Sequence, residues 1–142
     1  SWIENEIFWE GLTGRWEKVS MILWIKLSKK SKYIFDIGAN NGIYALVAKT
    51  VNPKSKVFAF EPHPLFFRIL EMNVMLNNFD INLYKKAVSN LDGILKIEDY
   101  SGKTDFITVE SVTLDTFILM NKENSSRVCN SNRSSYSLHH PS

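Results

Sequence analysis

Tyr33-Ile34-Phe35-Asp36-Ile37-Gly38-Ala39-Asn40-Asn41-Gly42 is the stretch on which the fold turns. Five largely apolar residues, with one acid near their end, read as a strand buried on both faces. Two glycines follow, and then Ile43, Leu46, Val47 and Val51 recur at helical spacing until Asn52-Pro53 ends the helix. A second strand reads as Val57-Phe58-Ala59-Phe60, with Glu61-Pro62-His63-Pro64 as the turn after it. The next helix places Leu65, Ile69, Met72 and Leu76 on one face and closes at Asn77-Asn78. A third strand, Ile81-Asn82-Leu83-Tyr84, runs towards Ala87-Val88. Strand, helix, strand, helix, strand within roughly 55 residues predicts an α/β fold, a parallel sheet with crossover helices.

Working outward, residues 94–97 and 106–114 read as further strands, a β-hairpin region with turns at residues 90–93 and 101–102. Asp115 stands where it would cap a helix starting at Thr116. Residues 1–30 read as an N-terminal helical segment in which Trp16, Val19, Leu23 and Leu27 form an apolar stripe packed on the sheet. Lys26, Lys29 and Lys30 suit the helix C-terminus. The competing assignment for that segment is a helix on a membrane surface, given Trp2, Trp9, Trp16 and Trp24. Residues 120–142 are rich in serine and asparagine without apolar periodicity, which predicts a disordered polar tail. The expected organisation is therefore 1–30, a partial Rossmann-like domain over 31–119, and the tail.

Composition narrows the function classes. Of 142 residues, 44% are hydrophobic and 13% aromatic, enough for a packed core. The net charge of +2, from scattered lysines, argues against a nucleic-acid partner. One cysteine, Cys129, allows no internal disulfide and fits a reducing cytoplasm. The longest apolar run near the start, residues 21–25, is far below the ~20 residues of a membrane span. Neither an oligomeric state nor a catalytic base is specified by these residues. A start at Ser1 rather than Met raises the expectation of further sequence upstream.

The chemistry sits in the loop at residues 36–42. A strand that ends in a glycine turn and enters a helix makes a ligand crevice at the carboxyl end of the sheet. Glycine allows the sharp turn and close approach of a ligand. A dinucleotide fingerprint reads Gly-x-Gly-x-x-Gly. Here Asp36 occupies its first position, and three residues separate Gly38 from Gly42. A carboxylate would repel a pyrophosphate but suits a cationic ligand such as S-adenosylmethionine, which carries an ammonium and a sulfonium. Glu61, ending the second strand, can accept hydrogen bonds from both ribose hydroxyls. Strand-to-helix turns often need glycine for structural reasons alone, and a strand-end acid is often only solvated. It is the ordered set of acid, glycine turn, helix, strand and acid that points to a nucleotide-type cofactor.

These residues resemble the FkbM family of methyltransferases. The resemblance runs through Phe35 to Gly42, Val57 to Pro64, Asn73 with Asn77-Asn78, Ala87-Val88-Ser89 with Gly93, and Val112-Thr113-Leu114-Asp115-Thr116-Phe117. It covers residues 31–119. It implies a Rossmann-like class I methyltransferase fold, here partial, and methylation of a hydroxyl on a small molecule or sugar with S-adenosylmethionine as cofactor. It also implies that Asp36, Gly38, Ala39, Asn40 and Gly42 surround the methionine part and that Glu61 binds the ribose. Pro62 and His63 would lie beside the adenine, and Ala87 and Val88 near its edge. The family continues with a strand of the type Ile-Lys-Ile-Asp-Val-Glu-Gly, absent after Phe117. In the sheet order of this class, 3-2-1-4-5-7-6, that absence exposes the first strand as an apolar edge. The expectation is a truncation or frameshift near residue 120. The alternatives are a cofactor-binding module without catalysis, a non-functional remnant, and a nicotinamide-dependent enzyme.

The remaining chemistry-bearing residues read as structural. His63 beside the crevice is a candidate base but is better read as a packed turn histidine. Asp80, Asp92, Asp99 and Asp105 lie in or beside turns, where solvated acids are common. His139-His140 lacks a third ligand for a metal, and Cys129 has no activating neighbour.

Overall fold

The structure is a computed structural model that describes residues 18–122. Its elements are α1 (Lys18–Ser28), β1 (Tyr33–Ile37), α2 (Ile43–Val51), β2 (Lys56–Phe60), α3 (Pro64–Leu76), β3 (Ile81–Tyr84), β4 (Ala87–Val88), β5 (Gly93–Glu98) and β6 (Phe106–Val112). A last helix, α4, occupies residues 114–122. Trp2, Trp9, Trp16, Cys129, His139, His140 and most of the expected tail fall outside the described residues, while 120–122 belong to α4.

The three predicted parallel strands form one sheet in the order β1-β2-β3, with Tyr33 opposite Lys56 and Val57 opposite Ile81. The hairpin region forms a second sheet in the order β4-β6-β5. There β5 and β6 are antiparallel, and the two residues of β4 run parallel to β6. The chain thus leaves the first sheet after Tyr84 and enters the second at Ala87. This is the expected mixed α/β architecture, a partial Rossmann-like fold with a β-hairpin appended.

Helices α1, α2 and α3 cover one face of the first sheet. Ile34, Val57, Ala59 and Ile81 project there from the strands and meet Ala45, Ala48, Leu70 and Val74. The opposite face is aromatic. Phe35 and Phe58 stack at 5.1 Å between ring centroids, Phe60 and Tyr84 at 5.0 Å, and Phe117 of α4 stands edge-on to all four. That face is only partly covered, so β1 is buried on one side rather than both: Ile34 and Asp36 are buried, Phe35 is half-buried, and Tyr33 and Ile37 are about half exposed.

The buried stripes of α1 and α3 differ from those their apolar spacing predicts, and in α2 only Leu46 of the spaced residues packs against the core. In α1 the buried residues are Met21 and Ser28, with Trp24 against the core, while Val19 is 79% exposed and Leu23 and Leu27 face outward. Trp24 donates its indole N–H to the Tyr44 carbonyl at 2.9 Å, and Asn52 donates to the Ser28 carbonyl at 2.9 Å. These polar anchors select one face of a helix that is apolar nearly all round. In α2 the sheet side is Ala45 and Ala48, because small side chains let the helix sit close to the strands. In α3 it is Leu70 and Val74, with Phe67, while Leu65, Met72 and Leu76 are exposed.

At α4 the start also moves. Thr113 accepts from the Thr116 amide at 3.1 Å and is the capping residue, so Asp115 lies inside the first turn. Asp92 braces the same turn by accepting from the Thr113 amide and the Thr116 hydroxyl. It is an anchor, not a merely solvated turn acid, and those hydrogen bonds hold its pKa below the ordinary carboxylate value.

Candidate functional site

The loop after β1 is folded by alternating left-handed residues, Gly38 at φ 74°, Asn40 at φ 52° and Gly42 at φ 87°. Gly38 and Ala39 both donate their amides to the Phe60 carbonyl at 2.9 Å, which ties the loop to the end of β2. The two glycines serve different ends. A Cβ on Gly38 would meet open space, whereas one on Gly42 would run into Leu70 Cδ1. Gly42 is needed for its backbone angle and leaves the space that the Leu70 side chain of α3 fills, and Gly38 has open space beside it.

Glu61 ends β2, buried, and its two oxygens take separate backbone donors. Oε2 accepts from the Asn40 amide at 2.8 Å and Oε1 from the His63 amide at 2.8 Å. One side chain therefore sets the distance between the glycine loop and the turn into α3. Each oxygen keeps a second lone pair for a further donor.

Asp36 is the other acid. It is buried, 8% exposed, and takes a hydrogen bond from the Ala45 backbone. Its Oδ2 has no hydrogen-bond partner. Burial pushes its carboxyl up to about 6, the Ala45 hydrogen bond opposes this, and the neighbouring Glu61 adds to it. A buried carboxylate oxygen without a donor costs free energy until a donor arrives. Asp36 and Glu61, at the ends of adjacent parallel strands, therefore fit a cation together with a hydroxyl-bearing group.

His63 is placed at the N-terminus of α3, and its ring is buried. Nδ1 accepts from the Leu65 amide at 3.2 Å, which leaves the proton on Nε2, 3.2 Å from Asp99 Oδ1. With both nitrogens engaged, the ring braces the turn into α3. Asp99 is not the solvated turn acid that its position in the sequence suggests. It instead accepts from the Ser101 amide and hydroxyl and from the Thr104 amide and hydroxyl, and these bonds hold its pKa well below the usual carboxylate range. Residues 63 and 99 are 36 apart in sequence, so no local spacing signals their contact.

Pro62 lies half-buried between Glu61 and His63, and Ala87 and Val88 lie just past the carboxyl end of β3. The structure thus gathers Asp36, Gly38, Ala39, Asn40, Gly42, Glu61, Pro62 and His63 at the carboxyl ends of β1 and β2, with Ala87 and Val88 following β3. Among the described residues no group of three acids, histidines or cysteines could hold a metal, and no helix is long and apolar enough to cross a membrane.

Known proteins are similar to part of this chain. Methyltransferase sdnD of Sordaria araneosa is 41% identical over 46 residues, which is 32% of this chain and 18% of that protein. The 31-O-demethyl-FK506 methyltransferase FkbM of Streptomyces tacrolimicus is 34% identical over 71 residues, 50% of this chain and 27% of its own length. The aligned part of the chain thus spans under a third of either relative. The profile of the methyltransferase FkbM domain matches residues 36–129, about two thirds of the chain, and opens on Asp36 itself. With its acid-glycine loop, its strand-end glutamate and this match, the chain belongs to the FkbM methyltransferase family.

Proposed function

We propose that the chain binds S-adenosylmethionine at the carboxyl ends of β1 and β2, as the cofactor half of an O-methyltransferase acting on a hydroxyl of a small molecule or sugar. The observation that carries this is the unpartnered, buried Oδ2 of Asp36, beside the loop that Glu61 holds. Membership of a methyltransferase family supports the cofactor, and the Streptomyces relative, named for an O-demethyl compound, supports an oxygen acceptor. When bound, the cofactor supplies a methyl group on a sulfonium, an electrophile that an oxygen nucleophile can take directly.

The residues then have distinct tasks. Asp36 Oδ2 would accept from the ammonium of the methionine part, and the open space beside Gly38 would leave room for that part. Glu61 offers its spare lone pairs to the ribose hydroxyls while its other two hold Asn40 and His63. These residues would orient the donor, and aligning donor with acceptor lowers the barrier to such a transfer.

Titration calorimetry of the chain with S-adenosylmethionine and with NAD tests this. S-adenosylmethionine should bind and NAD should not; binding of NAD alone overturns the reading. Glu61→Gln replaces one acceptor oxygen with a donor against a backbone N–H. Affinity should fall roughly tenfold to a few hundredfold, since hydrogen bonds to a charged group contribute about 1.5–3 kcal/mol. Cofactor binding without methyl transfer to any hydroxyl acceptor would reduce the function to that of a binding module.

A further inference from the structure

One exposed aromatic side chain, packed against His63, has no part in the site described so far. Tyr100, at the tip of the β5–β6 hairpin, is 67% exposed. Exposed tyrosines are common, but this one is held in place. Its ring lies 5.9 Å from the His63 ring and 6.2 Å from that of Phe66, which is itself 5.0 Å from His63. The three rings form a tilted cluster at the N-terminus of α3. The tip that carries Tyr100 is tied down by the four hydrogen bonds from Ser101 and Thr104 to Asp99, by the Asp99 amide to the Asp105 carbonyl at 3.1 Å, and by the bond from His63 to Asp99.

His63 joins this cluster to the cofactor crevice. Its amide is bonded to Glu61, its Nδ1 to the first turn of α3 and its Nε2 to the hairpin tip. One residue, His63, therefore contacts both the glutamate that would hold a ribose and the aromatic cluster. Stacking on a rigid aromatic face is a strong sequence-independent way to hold a purine. A ring ordered beforehand loses little freedom when the base arrives.

Resting on the cofactor reading above, we infer that the tip of the β5–β6 hairpin is a wall of the adenosine site, with Tyr100 as the ring that contacts the adenine and Asp99 as the positioning residue that latches the tip through His63. The ligand class is a purine nucleoside, recognised by its flat base rather than by charge.

Calorimetry on the chain with S-adenosylmethionine and with 5′-methylthioadenosine, which keeps the nucleoside and lacks the amino acid, separates the possibilities. Tyr100→Ala should weaken both by about tenfold and by the same factor, as expected for one lost stacking partner. Tyr100→Phe should bind both as the parent does. Asp99→Ala should weaken both while Tyr100 remains present, and Tyr100→Ala added to it should cost less than it does alone. Circular dichroism and the unfolding midpoint of each variant show whether the fold is kept, and Tyr100→Leu, which keeps bulk without a ring face, gives a second test of stacking. Parent-like binding of both ligands by Tyr100→Ala or Tyr100→Leu overturns the inference and leaves the cofactor reading standing. A parent chain that binds neither ligand overturns both.

Discussion

Asp36 sits at the conflict between folding and binding. Its folded pKa is raised to about 6 against an ordinary value of 3.8, so the folded chain disfavours its ionised form. The sign follows from linkage. The fold is relatively most favoured while Asp36 is protonated in both states, below about pH 4. It loses on the order of 2–3 kcal/mol as pH rises to about 6, and nothing further above that. Cofactor binding runs the opposite way, because the ammonium needs the carboxylate. Affinity for S-adenosylmethionine should therefore strengthen as pH rises through about 6 and then level off. Asp36→Asn should bind weakly with no such pH step, and its unfolding midpoint relative to the parent should improve between pH 4.5 and pH 7. Thermal melts at those two pH values, with and without cofactor, measure both effects. A parent affinity that is flat from pH 5 to 7 would remove Asp36 from the ammonium site.

At the scale of elements, the order of strands and helices was legible, and the faces of the helices were not. Strand, acid, glycine turn and helix is a local pattern with local causes, so β1, α2, β2, α3 and β3 fall where the spacing puts them. Which side of a helix is buried depends on what lies opposite. Ala45 and Ala48 carry weak apolar signals but face the sheet because only small groups allow that approach, while stronger stripes such as Leu65, Met72 and Leu76 are left exposed. The acids and glycines of the site were readable for the same local reason. The latch of His63 to Asp99 and the brace of Asp92 on α4 were not, because each joins residues more than 20 apart. The start of α4 turns on the cap that spacing missed. Thr113→Ala removes the acceptor for the Thr116 amide and should cost about 0.5–2 kcal/mol. Asp92→Ala should also lower the unfolding midpoint, and the parent should lose this contribution as pH falls below 3.8 towards the lowered folded pKa. The double variant should lose less than the sum, since both act on one turn. Additive losses in chemical denaturation would separate the two caps.

At the scale of the whole molecule, the first sheet is, among the described residues, well covered on one face and only partly covered by α4 on the other. Among the described residues β1 pairs only with β2, so its outer edge offers unpaired backbone groups. That edge borders the groove lined by Tyr33, Phe35, Phe58, Tyr84, Phe117 and Ile118. An open strand edge next to an apolar face is the arrangement that recruits further strands. The expectation is concentration-dependent association of the chain through β1. Tyr33 is the place to test it, because its ring is half exposed at the start of the edge strand and lies near the ammonium groups of Lys32, 5.6 Å away, and Lys56, 5.9 Å away. Tyr33→Glu puts a charge on the edge and pairs it with those two lysines, so the monomer is little affected while strand addition must desolvate an acid. The Asp36–Glu61 crevice is at the other end of β1, so cofactor affinity should stay at the parent value. Light scattering across a concentration series should show the parent growing and the variant remaining small. Equal growth in both would move the sticky surface away from β1, and the exposed Val19, Leu23 and Leu27 stripe of α1 would be the next surface to charge.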